Sequence, residues 1–519
     1  MTATGFLAKA GHFLPKPRTI GAVLSGAVFF SLYCYTSAPG VLASDSGEWQ
    51  AAGATLGISH SPGSPAYTII SWMFSHLVWY SNMAARVNLL SALVGAIGVS
   101  AVFTLVIMLF DRWLPALIAA ATLGLGGQYW AHASVAEPYN GVVVVITFLL
   151  IILLLWHRGG SVKLFWGAAL LTGFGLAYHP SLLFFLPVLL AGFFVLRPWR
   201  ELLKPKTVLL AAAFLALGLS INLYLPIRSA SNPEIGYGKI DSVSSFFSFV
   251  SASDVRNSGA LEPGVPGADV VQDKLSTVVR QGYFPSYAFL TIVAAMILFY
   301  PAVNKRLKPL RRILIFLLAG AVVHMSIIFA VSRIYVHYYL PLLLYFAIWA
   351  GFSFYLIMLM AGSYLREGKG QKLPVMIVGA VYIVALSLGI PMLWPFVNHH
   401  NDLGMRDYTN AVFAKAKPGA VVLADWPSYG GLRYEQVVEG KRSDLEIIAV
   451  SPESWRDYLA EVRARPPAQI LASHNYGFQP EDHALQLSDG YWVSIKGRTY
   501  QDVRHGEPFP YVVQLFGIQ

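Results

Sequence analysis

Residues 19–49 read TIGAVLSGAVFFSLYCYTSAPGVLASDSGEW. The part from Ile20 to Tyr35 carries no charged side chain, as expected of a segment in a bilayer core that takes about 20 apolar residues to cross. Two carboxylates, Asp45 and Glu48, follow directly where such a segment would emerge. The stretch therefore predicts a membrane helix with an acidic loop at its far end.

Composition agrees. Of 519 residues, 56% are hydrophobic and 12% charged, with a mean hydropathy of +0.56. Soluble domains carry roughly 25% charged residues, so an ordinary water-soluble enzyme is excluded. Aromatic residues, at 14%, suit interface belts as well as cores. The single cysteine, Cys34, lies in an apolar run and excludes an internal disulfide, redox chemistry and Cys-based zinc sites. The net charge of +10 falls in short basic clusters between apolar runs, which is membrane patterning and gives no sign of a nucleic-acid partner.

Apolar runs near 19–37, 87–110, 113–128, 138–156, 164–178, 181–196, 207–225, 286–303, 313–331, 336–360 and 374–395 predict eleven spans. The stretch 65–80, PAYTIISWMFSHLVWY, is the ambiguous twelfth. If it does not cross, Lys9, Lys16, Arg18, Arg112, Arg158, Lys163, the cluster Arg197–Lys206, the cluster Lys305–Arg312 and the group Arg366–Lys372 share one side. The short loops opposite hold almost only Arg86 and Arg333. The positive-inside rule makes the basic side cytoplasmic, and 65–80 reads as an interfacial or re-entrant helix on the outer face. Val41-Leu42-Ala43 resembles a signal-peptide cleavage site, but Gly21–Tyr35 is long for a signal-peptide apolar core.

Residues 1–395 thus read as a transmembrane domain with a cytoplasmic N-terminus and a long outer loop at 226–285. Residues 396–519 change character, with short apolar runs (AVVLAD, LEIIAVS, AQILAS, YWVSI) alternating with polar helical stretches such as Glu453–Arg465. They predict a small external α/β domain.

Ionisable groups in so apolar a chain are functional suspects. Asp45, Glu48, His60, Arg86, His132, Glu137, His179, Arg228, Arg333 and His337 all fall on the outer face of this topology. Structural readings stand beside the functional one. Asp45 and Glu48 fit a helix capping box, Arg86 and Arg333 fit snorkelling anchors, Glu137 before Pro138 suits a helix start, and Asp425 suits a turn after a strand. No HExxH or GxSxG pattern occurs.

SDSGEWQAAGATLGISHSPGSPAYTIIS resembles the corresponding segment of a family of polytopic proteins. That family includes the bacterial relatives of the animal transmembrane O-mannosyltransferase acting on plexin-type ectodomains. Its pattern is an Asp-Ser-Gly-Glu run after the first span, then Leu-Gly-Ile-x-His-x-Pro-Gly-x-Pro. The likeness continues in RVNLLSA (86–92), VAEPYN (135–140), AYHPS (177–181), YLPIRSASNPEIGYG (224–238) and ADWPSYGGLRYEQVVEGKRSDLEIIAVS (424–451). In the last of these the family usually has a more polar run than Asp425-Trp426-Pro427.

The resemblance implies a GT-C-like membrane glycosyltransferase of the bacterial cytoplasmic (inner) membrane, with its C-terminal domain external, in the periplasm. Such an enzyme moves mannose or a similar hexose from a polyprenyl phosphate donor to a protein or glycan hydroxyl. In that superfamily the first outer loop carries the catalytic acid and interfacial helices, matching Asp45 and 65–80. Asp45 is then the base for the acceptor hydroxyl, with Glu48 orienting either Asp45 or the acceptor. Arg228 and Arg86 would bind the leaving phosphate, with His179 a third candidate. Glu137 would hold a sugar hydroxyl or complete the acidic cluster, and His60 and Arg333 complete the substrate-binding set. No cofactor is called for. A divalent metal on Asp45, Glu48 and Glu137 stays open, as does a transporter or lipid flippase, which would be expected to show midplane charges and two related halves.

Overall fold

The computed structural model describes residues 16–253, 307–331, 336–364, 377, 380–384, 387–451, 454–465, 467–473, 485–487, 491–493, 511–513 and 515–518. The chain opens with α1 (Lys16–Thr36), α2 (Ser44–Thr55), α3 (Pro65–Leu77), α4 (Met83–Phe110), α5 (Trp113–Gly124), α6 (Gly127–Ala133), α7 (Tyr139–His157) and α8 (Lys163–Tyr178). A 3-10 turn (Pro180–Phe185) leads to α9 (Leu186–Val195), and α10 (Pro205–Leu219) is followed by α11 (Tyr224–Ser229) and α12 (Val243–Val250). After the undescribed stretch come α13 (Arg311–Val331), α14 (Leu340–Tyr364) and α15 (Ile390–Val397).

Six segments among the described residues are long and apolar enough to span a bilayer: Pro17–Thr36, Met83–Phe110, Tyr139–His157, Pro205–Ser229, Arg311–Ala330 and His337–Leu359. Other runs expected as spans are shorter helices. The run at 113–128 breaks at Gly126, giving a twelve-residue α5 before α6. The run at 164–178 is sixteen residues, and 181–196 divides into the 3-10 turn and a ten-residue α9. At about 1.5 Å per residue none of these alone matches a core of about 30 Å. The expected span 286–303 and part of 374–395 lie outside the described residues. Helix α3 is only thirteen residues long and ends beside exposed Leu77, Trp79 and Tyr80. It is too short to cross and apolar enough to lie in an interface.

The membrane core centres on α4, which packs against α1, α5 and α7. Valines 99, 102 and 106 and Phe103 have no exposed surface. Helices α8 and α10 touch backbone to backbone: a Cβ on Gly173 would lie 2.9 Å from Gly218 Cα, and one on Gly218 would lie 2.6 Å from Phe174 N. Small residues at such crossings give dispersion contact where lipid offers no hydrophobic drive.

All described strands follow residue 420. Between α16 (Gly404–Lys415) and α18 (Trp455–Ala464) lie β1 (Val421–Ala424), α17 (Trp426–Val437) and β2 (Glu446–Ala449). β3 (Ile470–Ala472), β4 (Leu485–Gln486), β5 (Tyr491–Val493), β6 (Tyr511–Val513) and β7 (Phe516–Ile518) follow. The main sheet runs β2-β1-β3-β7-β4, with β1 parallel to β2 and β3, and β7 antiparallel to β3 and β4. Strand β1 is buried throughout, which is why it reads as an unbroken apolar run.

This α/β unit is seated on α2. Residues Ser46–Ala54 of α2 are all buried, so the helix after the acidic motif is an internal strut. Gln50 fixes it by donating to Gly40 O (3.1 Å) and Asn88 Oδ1 (2.9 Å). Helix α17 crosses α2 at glycines: a Cβ on Gly430 would stand 2.7 Å from Glu48 N and 3.1 Å from Ser44 O, and one on Gly47 would stand 2.9 Å from Gly431 N. Gly430→Ala therefore has no backbone-neutral solution. It should lower stability by about 1–3 kcal/mol, the range for overpacking, read as a lower thermal midpoint in detergent. Gly167, in α8, has nothing within 4 Å of the place a Cβ would take, and should accept Ala with no loss.

Candidate active site

The acidic motif forms the first turn of α2, whose N-cap residue Ala43 makes no side-chain cap. The expected capping box is absent because both carboxylates turn elsewhere. Glu48, 1% exposed, accepts from the His60 backbone N–H, and its Oε2 lies 2.8 Å from His60 Nδ1. Asp45 Oδ1 accepts the indole N–H of Trp426 at 2.7 Å.

Burial pushes the Glu48 carboxyl up, while His60 pulls it back. Burial alone would lower the His60 imidazole. The Glu48 charge and hydrogen bond, with Asp45 and Glu137 adding, outweigh it and raise His60 to about 9. The two side chains thus form a hydrogen-bonded carboxyl–imidazole pair, with the His60 side chain still 27% exposed.

Glu137, also buried, comes to α2 from the start of α7. Its Oε1 accepts from Ser46 Oγ at 3.2 Å, and its backbone N–H donates to Ser91 Oγ at 3.2 Å. His179 sits between α8 and the 3-10 turn, buried. Its Nδ1 accepts the Ser181 N–H at 3.2 Å, so the neutral ring carries its proton on Nε2. Burial, then the nearby His60 charge, lowers this imidazole to about 3. His179, His132 and His337 all meet the Tyr139 ring, with His337 stacked on it at 3.9 Å. Four separate elements supply this aromatic–imidazole cluster.

The arginines are placed differently. Arg86 donates to the carbonyls of Tyr80 (2.7 Å), Ser75 (2.9 Å) and Ser81 (3.0 Å), clamping the α3–α4 connection. Arg228 donates to Leu56 O (2.6 Å), Thr55 O (3.2 Å) and Ser231 Oγ (3.0 Å). It satisfies orphan carbonyls at the C-terminal end of α2, where a cation is also favoured by the helix dipole. These bonds give both arginines a structural task, and none of them goes to a carboxylate of the acidic cluster. Arg333 lies outside the described residues.

Asp45, Glu48 and His60 bring ligand-type atoms within 4.8 Å of one another. A protonated His60 has no lone pair to offer, so a divalent ion would have to displace that proton. Beside the Glu48–His60 pair, Asp45 is left as a partly exposed carboxylate. Such a carboxylate can accept a proton from a hydroxyl brought against it.

Sequence reasoning passed over Trp426, whose neighbour Asp425 it read as a turn residue. Asp425 is the N-cap of α17 and accepts from Ser428 N at 3.2 Å. The one available signal was local: an aromatic in a segment where the resembled family is more polar. Ser46 and Gln50, inside the motif, gave no signal because neither residue type is unusual after a membrane span.

Residues 45–202 match the family model described as "Protein O-mannosyl-transferase TMEM260 N-terminal domain". Protein O-mannosyl-transferase TMEM260 of Mus musculus is 28% identical over 216 residues, 41% of this chain and 30% of that protein. The Dictyostelium discoideum protein of the same description is 23% identical over 123 residues, 23% of this chain and 15% of its own. The chain thus spans less than a third of the length of these curated relatives. The structure of ArnT from Cupriavidus metallidurans bound to undecaprenyl phosphate superposes with a TM-score of 0.54 at 14% identity, covering 99% of this chain and 98% of ArnT. Its apo structure gives 0.51 at 14% identity, covering 95% and 97%. The fold is that of ArnT, and residues 45–202 are similar to the TMEM260-type N-terminal domain.

Proposed function

We propose that the protein transfers a hexosyl group, mannose or a close relative, from a polyprenyl phosphate to an acceptor hydroxyl at the outer membrane face. The acceptor we assign is a protein Ser or Thr. The observation that carries the reading is Asp45. It is a partly exposed carboxylate beside the Glu48–His60 pair, on a fold shared with a chain solved with undecaprenyl phosphate.

Asp45 takes the proton of the acceptor hydroxyl as its oxygen attacks the anomeric carbon. The bond from that carbon to the phosphate oxygen breaks, and polyprenyl phosphate leaves. Phosphate departs readily, so a second carboxylic acid to protonate it is not needed, unlike in glycoside hydrolysis. Positive charge near the leaving group is useful, and the His60 imidazolium is the cation built against the acidic cluster. With Arg86 and Arg228 held by backbone carbonyls, His60 takes the role that the family resemblance gave to them. The Nε2–H of His179 is a neutral second donor, and Glu137 orients a sugar hydroxyl.

Asp45→Asn keeps the shape and removes the proton acceptor. Turnover of a hexosyl prenyl phosphate by the purified protein should fall about 10²-fold or more, with donor binding retained. Near-normal turnover would remove Asp45 from the chemistry. For localisation we infer a bacterial inner membrane with N-terminus cytoplasmic and residues 396–519 external, so reporter fusions after Arg200 and Asn401 should report opposite sides.

A pH test addresses the ion pair. His60 is raised in the folded state, so the stability it contributes is complete below its ordinary value of 6.5 and drains as pH passes about 9. The thermal midpoint and the turnover should both decline over that alkaline window. His60→Gln should flatten the decline in midpoint, and an unchanged slope would locate the alkaline transition elsewhere.

A further inference from the structure

The carboxylate assigned as the base belongs to the membrane domain, yet its indole partner comes from the external one. Trp426 is the first residue of α17, directly after β1. Its backbone position is held from three directions. Asp425 caps the helix, and Ser473 Oγ bridges Asp425 by receiving its N–H (2.7 Å) and donating to its Oδ1 (3.0 Å). The Gly430–Gly47 crossing locks α17 onto α2, the helix that carries Asp45. The ring is held as well, meeting His60 edge-on at 5.5 Å and Tyr237 at 5.5 Å. It is nonetheless 38% exposed.

We propose that Trp426 is a positioning residue for the transfer reaction. Its indole N–H fixes the Asp45 carboxylate in the orientation that presents its second oxygen to the acceptor hydroxyl, so that the base is aligned only while the external domain is docked. The proposal rests on the reading of Asp45 as the base. The chemistry of the donor supports this division of labour. Indole nitrogen donates one hydrogen bond and accepts none, so Trp426 can hold Asp45 Oδ1 but cannot compete for the proton that the other oxygen receives. A hydrogen bond to a charged acceptor is stronger and shorter than a neutral one, and 2.7 Å is within that range. Asp45 stands in the first turn of α2, where two rotatable bonds would otherwise leave its carboxylate free to turn.

The test uses the full-length protein in detergent and whichever of mannosyl, glucosyl or galactosyl prenyl phosphate it turns over with a Ser/Thr-rich peptide. Trp426→Phe keeps the ring packing and deletes the N–H. We expect kcat to fall about 10- to 100-fold, the scale of a misoriented catalytic group, with donor KM within about twofold and the thermal midpoint unchanged. The decisive measurement is a double-mutant cycle. In an Asp45→Asn background, Trp426→Phe should change the residual rate by less than about twofold, because the amide oxygen can still accept the indole N–H but there is no base left to orient. Trp426→His, which keeps a ring N–H, should retain more of kcat than Phe and guards against a folding defect in the first variant. Normal kcat in Trp426→Phe, with Asp45→Asn inactive, sinks the positioning role and leaves the base intact. Equal losses from Trp426→Phe in both backgrounds sink it too, since the ring would then act independently of Asp45. An active Asp45→Asn, or no turnover by the unsubstituted chain, overturns the underlying transfer reading instead.

Discussion

A carboxyl group with 1% of its surface exposed needs something in the protein to replace the water it has lost, and for Glu48 that replacement is His60. The requirement shapes the segment between α2 and α3. His60 must return to within hydrogen-bond reach of α2, so residues 56–63 fold back across it. The return is secured from outside: Ile58 N–H donates to Ile235 O at 2.9 Å, and Tyr237 N–H to Ile58 O at 3.1 Å. Ser61 Oγ reaches Phe249 O. Loops far apart in the chain are thus tied to one ion pair.

With Glu48 and His60 satisfying each other, Asp45 is the acid left at the rim. Glu137 and Glu48 are interior and bonded to neighbouring side chains, whereas Asp45 meets the α/β domain and is partly exposed. Three carboxylates of similar chemistry are differentiated by burial and partners alone. The same economy of place explains Arg228. A guanidinium that caps α2 from its far end stabilises the helix carrying the acids without contacting them.

The docking of the α/β domain on α2 is the second constraint. Backbone contact at Gly47, Gly430 and Gly431 brings the start of α17 close enough for an indole to reach Asp45. A larger residue at the crossing would hold the two layers apart and open that distance. Site geometry is therefore sensitive to positions that bear no functional group.

Much was legible in the order of residues. The resemblance carried by the SDSGEW and GISHSPGSP motifs pointed to a GT-C-like fold, and uninterrupted apolar runs with sorted basic clusters marked a membrane protein. They did so because hydropathy and charge act along the chain and need no partner to be read. Helix lengths at 113–128 and 181–196 were less legible, since a glycine or proline break inside an apolar run does not alter its hydropathy. The partners of the polar groups were not legible at all. That Glu48 binds His60, that Arg86 and Arg228 grip carbonyls, and that Trp426 reaches Asp45 across 381 positions was decided only by tertiary structure. A hydrogen bond is set by the distance and direction between two groups, and those arise only when remote segments pack.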